Sequence, residues 1–384
     1  MHMLEKTRYS IEEQSSGVLL NPAEMKQALE LLVQRMGTIH SSCANSFPLY
    51  SPKVADRWVL SAGGSWVGGY WGACWWLRSR ITGSLSDRHK AAAICQWLSP
   101  KMTTDSINRN LIFWYGSALG DLWFGDAKAR DLASASISAI ASSYDPEMHC
   151  VPLGRDMGGG KEGHQLISVD SLAPLIQLLN HSEDSAHHQV ARTHASTLAG
   201  VCGTGSGAFH PGARFADGHF QPTEPAGVWS RGQAWAMLGL SRAATLWGEP
   251  YLTCTLRACE YWKRSRPAPL PLNRLDDPSG LADPSSSVIA SLAMLTLAEL
   301  LADGTRWRTS AHREIAAIVR SDYFTGFHEN GSHAKSGDSP SGIFWGCCYK
   351  TNSNKEEMVE SAWGSFFLMA ALCVLLDMLK PNEF

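Results

Sequence analysis

The sequence predicts an all-α protein, an (α/α)6 barrel made of six helical hairpins. Three observations carry that reading. Twelve segments repeat their apolar residues with the helical period along the whole chain. The connections between them alternate between very short and long. Residues able to do chemistry gather at the starts of the even-numbered segments.

In chain order the segments fall at 22–40, 66–82, 86–98, 108–124, 126–144, 168–181, 184–201, 230–247, 249–265, 285–302, 306–321 and 357–380, separated by loops rich in Gly, Pro, Ser and Asp. The second opens at Trp66 and continues through Gly68-Gly69-Tyr70-Trp71-Gly72; the third follows at once. The fourth opens at Asn108 and Arg109 and turns directly into the fifth. Asp170 stands at the start of the sixth, which is joined tightly to the seventh. The eighth opens at Trp229, the tenth follows Asp276-Asp277-Pro278 and Asp283, and the twelfth opens within 356–365. Short connections make neighbouring helices antiparallel, so all even helices start at one end, the end with the long loops. Helix N-termini direct partial positive charge there, and six of them in a ring make a pocket suited to an anion. The alternative arrangement is an open helical solenoid with a groove. Strand signals are weak; only 149–153 and 209–215 read as short hairpin pieces. Residues 1–21 read as an extension and 22–384 as one domain.

Composition narrows the function. The net charge is −3, and Lys and Arg are scattered with no basic run, so no nucleic-acid partner is expected. No apolar run approaches the ~18 residues of a membrane span; 366–376 is too short, and no membrane partner is expected. The start, MHMLEKTRYSIEEQSS, lacks the apolar core of a secretory signal, which makes the cytoplasm the expected location. The ten Cys form no CxxC and lie mostly in apolar helical runs, as small buried hydrophobes. No metal and no cofactor are expected. Fifteen Trp favour a pocket lined by aromatic platforms.

The most informative stretch is Trp229-Ser230-Arg231-Gly232-Gln233-Ala234-Trp235. Ser230 is placed to cap the helix. Arg231 and Trp235, four apart, share one face. A guanidinium beside an indole suits a flat anionic ligand such as a uronic acid, with Arg on the carboxylate and Trp under the ring. The plain structural reading is an Arg satisfied by a carboxylate in a helical core.

Four segments in order resemble the unsaturated glucuronyl hydrolases, glycoside hydrolase family 88: 66–77, Ser168-Val169-Asp170-Ser171-Leu172-Ala173-Pro174-Leu175, 229–235, and Glu360-Ser361-Ala362-Trp363-Gly364. The third is the specific one. The resemblance implies a six-hairpin toroid active in carbohydrate metabolism. It implies hydration of the C4=C5 double bond of an unsaturated uronyl saccharide, by protonation at C4 and addition of water at C5. The hemiketal then opens and releases the next sugar. A carboxylic acid that donates a proton and then, as carboxylate, activates water would do this, and Asp170 is the matching position. Burial raises its pKa and the helix N-terminus lowers it. Read alone, Asp170 is an ordinary N-cap. The resemblance carries Trp66, His210, Gln221, Arg231 and Trp235 over as substrate contacts; His219 is an alternative to His210. The implied partner is a small oligosaccharide or uronate-containing glycoconjugate.

The pattern breaks at one catalytic position. The family's second active-site Asp falls on Asn108, and the His before it on Ile107. Asn cannot ionise. Asp105 could substitute if its loop shifts, and Arg109 adds positive charge near the pocket. Ser365 stands where an Asp is common. Gly158-Gly159-Gly160-Lys161-Glu162-Gly163 is not a P-loop but reads as a mobile loop, a candidate lid. Three functions therefore stay open: a hydratase working through Asp170, a uronate-binding protein without catalysis, and a conventional glycosidase or tailoring enzyme. The last ordinarily needs two carboxylates.

Overall fold

A computed structural model describes residues 19–43, 45–53, 57–327, 340–352 and 355–384, so most of the expected extension at 1–21 lies outside the described residues. The helices are α1 (Pro22–Cys43), α2 (Val67–Thr82), α3 (Leu85–Trp97), α4 (the contiguous pieces Arg109–Phe113, Trp114–Ala118 and Leu119–Phe124), α5 (Ala127–Ala141), α6 (Leu172–Asn180), α7 (Ser185–Cys202), α8 (Ser230–Trp247), α9 (Tyr251–Ser265), α10 (Pro284–Leu300), α11 (Thr305–Val319) and α12 (Ala362–Leu375). They match the expected segments one for one.

Burial separates two sets of helices. The odd helices bury a single stripe: Tyr251, Thr255, Ala258, Cys259 and Trp262 on α9, and Trp307, Ala311, Glu314, Ile315 and Ile318 on α11. That i, i+4, i+7, i+8 pattern is the mark of a helix covering a core from outside. In α10, every residue from Pro284 to Leu297 is buried, and α12 is buried throughout. Helices apolar all round belong inside. The inner helices pack in a closed ring, α2 on α4, α4 on α6, α6 on α8, α8 on α10, α10 on α12 and α12 back on α2. The molecule is thus a closed (α/α)6 barrel and not an open solenoid.

The strands are β1 (Phe47–Pro52), β2 (Val59–Ser61), β3 (Leu166–Ser168), β4 (Gly212–Ala216), β5 (His219–Pro222), β6 (Cys347–Asn352) and β7 (Lys355–Glu360). They form two sheets, ordered β2-β1-β7-β6 and β3-β4-β5. Each strand lies in a connection that leads into an inner helix, so both sheets sit at the end where those helices start. The sheets correct three expectations. Residues 149–153 form no hairpin; Cys150 makes an isolated bridge with Asp145, and the Val151 N–H is taken by His194 Nδ1 at 3.1 Å. The last helix starts at Ala362, because 355–360 pairs with β6. The sixth starts at Leu172, because β3 takes the residues before it. The 209–215 signal does become strand, as β4.

Side-chain capping also divides the helices. On the outer set, Ser84 caps α3, Asp126 caps α5 and Asp184 caps α7. None of the six inner helices has a side-chain N-cap bond. Ser230, expected as a cap, is instead the first residue of α8, and its hydroxyl donates to the Leu272 carbonyl at 2.6 Å. The inner N-termini thus direct their partial positive charge at the pocket end without side-chain caps, while backbone carbonyls take some first-turn N–H groups, Ser230 to Asn273 at 2.9 Å and Ser285 to Gly346 at 2.8 Å. All ten Cys are free thiols and all but Cys254 are buried. Among the described residues, no helix is long and apolar enough to cross a membrane.

The ring closes tightly where α2 meets α4. A Cβ on Gly69 would lie 2.5 Å from Ile112 Cα and from the Leu111 carbonyl, and Gly72 faces Gly116 Cα at 3.1 Å. The Gly116 carbonyl accepts Trp76 Nε1 at 2.9 Å. Backbone cannot yield as a side chain can, so Gly69→Ala is expected to cost about 1–3 kcal/mol by overpacking. Urea denaturation checks this, and an unchanged midpoint would contradict the close approach.

Candidate active site

Inside the ring, at the end where the inner helices start, lies a cavity of about 220 Å³ walled by Trp66, Asn108, Leu111, Met157, Asp170, Trp229, Arg231, Trp235, Tyr349, Lys350 and Trp363. It has room for one sugar ring. Each wall residue comes from the start of an inner helix or from a connection leading into one. The long-loop end is therefore the chemical end.

Arg231, on the first turn of α8, is the best anchored of these residues. Its Nη1 donates to Asp283 Oδ2 at 2.6 Å and to the Cys348 carbonyl at 2.8 Å. The guanidinium lies over the rings of Trp229 (5.3 Å to the centroid) and Trp363 (4.9 Å). Asp283 is fully buried, bonded also by the Ser285 hydroxyl and, at 3.4 Å, by the Cys348 N–H. The plain structural reading of Arg231 is thus half right: it has its carboxylate, yet its side chain still faces the cavity together with Trp235. Asp276 and Asp277 serve as turn residues, Asp276 paired with Arg274 and Asp277 bonded by Ser279.

Asp170 lies just before α6, where Ser171 is the N-cap residue, so it is not the cap of the helix. Its Oδ1 is buried with no hydrogen-bond partner. Burial pushes its pKa up to about 6, against the opposing pull of Arg231 and a hydrogen bond from Ser168; nearby Glu224 adds to the rise. Burial therefore wins the contest that the sequence left open.

Asn108 faces the same cavity. Its Nδ2 donates to the Met157 carbonyl at 3.1 Å, leaving a buried Oδ1 without a partner. That bond draws the 154–165 loop onto the start of α4, assisted by Asp156 N–H to the Asp105 carbonyl at 2.9 Å and Gly154 N–H to the Gly163 carbonyl at 3.0 Å. The expected lid is thus stitched in place, with Met157 as cavity wall.

Several expected residues stand elsewhere. Asp105 does not fill the second carboxylate position: it is 47 % exposed, pairs with His164 at 3.0 Å and lines a separate cavity. Arg109 points away from the site, donating to the carbonyls of Ser106, Met102 and Ala139 and to the Ser143 hydroxyl. Gln221 and His219 are exposed on β5 and bond each other at 2.9 Å. His210 meets the Glu224 carbonyl at 2.6 Å. None of these five belongs to the cavity wall. Asp170 is the one carboxylate among the described wall residues. Sequence reasoning missed Met157, Tyr349 and Lys350; the last two lie on β6, whose strand character the pattern of Cys347-Cys348-Tyr349-Lys350-Thr351-Asn352 barely signals.

No family model matches the chain. A curated relative, the unsaturated glucuronyl hydrolase of Bacillus sp. (strain GL1), is 24 % identical over 343 residues, covering 78 % of this chain and 88 % of its own. In sequence the chain is similar to this hydrolase. The solved structure of such a hydrolase from Bacillus sp. GL1 superposes with a TM-score of 0.76 at 18 % identity, covering 92 % of this chain and 96 % of that one. The Streptococcus agalactiae unsaturated glucuronyl hydrolase gives 0.78 at 16 % identity, with 94 % of each chain covered. At these identities the structural likeness establishes the fold, which is that of the unsaturated glucuronyl hydrolases, a group of glycoside hydrolases.

The Arg231–Asp283 pair is buried, and removing one partner leaves an uncompensated charge. Asp283→Ala is expected to destabilise the protein by about 3–5 kcal/mol. Equilibrium denaturation of the variant against the parent measures it; a loss within error would mean that Cys348 alone holds Arg231.

Proposed function

We propose that the protein is a glycoside hydrolase acting on unsaturated uronyl saccharides, by hydrating the C4=C5 double bond with Asp170 as general acid and then base. The observation that carries this is the state of Asp170: a buried carboxyl oxygen with no partner, a pKa raised to about 6, and Arg231 within electrostatic reach. A carboxyl group poised near neutrality can both give and take a proton at working pH. The curated relative's name and a Streptococcus agalactiae enzyme variant complexed with dGlcA-GalNAc6S support the same substrate class.

In this reading the unsaturated ring enters between Trp66, Trp235 and Trp363. Its carboxylate meets the edge of Arg231 left free by Asp283, assisted by the uncapped N-termini of α6 and α8. Protonated Asp170 delivers its proton to C4. The carboxylate so formed accepts a proton from the water that adds at C5. Asn108 takes no part in proton transfer; its free Oδ1 accepts a sugar hydroxyl. His210 and Gln221, outside the cavity, would meet the sugar beyond the cleaved bond. A conventional two-carboxylate hydrolysis is disfavoured, because Asp283 is occupied by Arg231 and Asp170 stands alone.

The state of Asp170 sets the pH behaviour of the reaction. Turnover of a lyase-generated unsaturated disaccharide, followed by loss of the double-bond absorbance, should fall as pH rises through about 6, where Asp170 loses its proton. Asp170→Asn should abolish it; undiminished turnover in that variant would sink the mechanism, and binding without turnover in the parent protein would favour a uronate-binding protein. Because the folded pKa is raised, Asp170 weakens the fold above the unfolded value and progressively so up to about 6. Asp170→Asn is therefore expected to raise stability at pH 7–8 by about 1–3 kcal/mol, a gain that disappears at pH 3–4. Restoring a carboxylate with Asn108→Asp should push Asp170 up further and move the alkaline fall in kcat/KM to higher pH, since like charges in one cavity disfavour double ionisation.

A further inference from the structure

The geometry points to a second binding site, on the outside of the barrel, for a small phosphate- or sulfate-bearing molecule. Between α9 and α11 lies a cleft of about 430 Å³, roomier than the central cavity, walled by Lys263, Arg266, Pro269, Arg313, Glu314 and Arg320 among others. Lys263 and Arg313 are exposed at its rim, while Arg266 (5 % exposed) and Glu314 (9 %) form its floor.

The floor is short of negative charge. Arg266 spends its donors on neutral oxygens: Ser230 Oγ at 2.9 Å, Ser265 Oγ at 2.7 Å and the Gly227 carbonyl at 2.6 Å. Burial pulls its pKa down to about 10, against the opposing pull of Tyr261, which is also hydrogen-bonded to it, and of Glu314. Glu314 does not supply one. Its Oε1 accepts Trp262 Nε1 at 3.1 Å, its Oε2 is buried without a hydrogen-bond partner, and burial raises its pKa to about 8 against the pull of Lys263 and Arg266, which favours the protonated acid. Arg320 is offset by Glu24 at 3.0 Å. Lys263 only overlies the Trp307 ring, and no carboxylate pairs with it or with Arg313 among the described residues. Three cations thus surround a proton-donating carboxyl group, an arrangement that suits a compact oxyanion. The groups facing Glu314 are Cys259, Lys263 and Arg266 from the α9 side, Ser287 of α10, and Arg313 and Arg320 on the α11 side. Arg266 also holds Ser230 and Gly227, which flank the start of α8, so an occupant that drew on Arg266 would act on the placement of Arg231.

Calorimetry at low ionic strength with inorganic phosphate, inorganic sulfate, glucose 6-phosphate and glucose 6-sulfate tests the site and separates phosphate from sulfate esters. Saturable binding is expected for at least one of them, weakened at least tenfold in the Lys263→Gln/Arg313→Gln double variant and unaffected by Lys350→Gln at the central cavity. Affinity should fall as pH rises through about 8, where Glu314 ionises, and Glu314→Gln should remove that fall. No saturable binding, or binding lost in Lys350→Gln and kept in the double variant, overturns the proposal. None of these outcomes depends on the reaction at Asp170.

Discussion

The site depends on one buried ion pair, Arg231 with Asp283. Arg231 starts α8, Asp283 directly precedes α10, the Cys348 carbonyl lies on β6, and the Trp363 ring opens α12. A single guanidinium thereby fixes three inner helices and a strand relative to one another. A buried pair of this kind is weak evidence for net stability, because desolvation offsets most of the attraction. Its effect here is positional. It consumes one face of the Arg and one carboxylate, leaving a cationic edge at the cavity beside the unpaired Asp170.

The electrostatics of the pocket follow from that arrangement. With Arg231 partly balanced by Asp283, positive potential at the cavity comes from its remaining edge, from the inner-helix N-termini and from Lys350. Side-chain caps are found on α3, α5 and α7 and on none of the inner helices, so no capping side chain offsets the partial positive charge of the inner N-termini. The same partial desolvation that makes Arg231 need a partner holds Asp170 near pH 6. One carboxylate is held in an ion pair, and the other is kept near a pKa of about 6 by burial.

Asn108, where the resemblance places an acid, is held by local bonding. The amide nitrogen holds the Met157 carbonyl and so orders the loop that covers one side of the cavity. A carboxylate at this position has no N–H to give, so this part of the wall depends on the amide. Asp105 and Arg109, which by sequence alone stood beside the pocket, are turned outward: Arg109, on the first turn of α4, bonds Ala139 of α5 and the Ser143 hydroxyl, and Asp105, in the connection before α4, accepts the Arg155 N–H of the 154–165 loop.

The sequence by itself determined the helices and their order, because apolar periodicity and short connections are local properties. Trp66, Asn108, Asp170, Arg231 and Trp235 were also legible, since all five sit at helix starts and the chain order of those starts fixes the end they share. Tertiary structure decided the rest. Strand pairing is non-local, so 355–360 read as helix until β6 was beside it, and Tyr349 and Lys350 entered the site with that pairing. His210 and Gln221 lie close in sequence to the site, yet the β4–β5 hairpin directs them outside the cavity, an orientation set by register. Whether burial or the helix dipole governs Asp170, and whether Glu314 is an acid or a carboxylate, depend on how much water each group loses when twelve helices close, which no residue carries in its own identity.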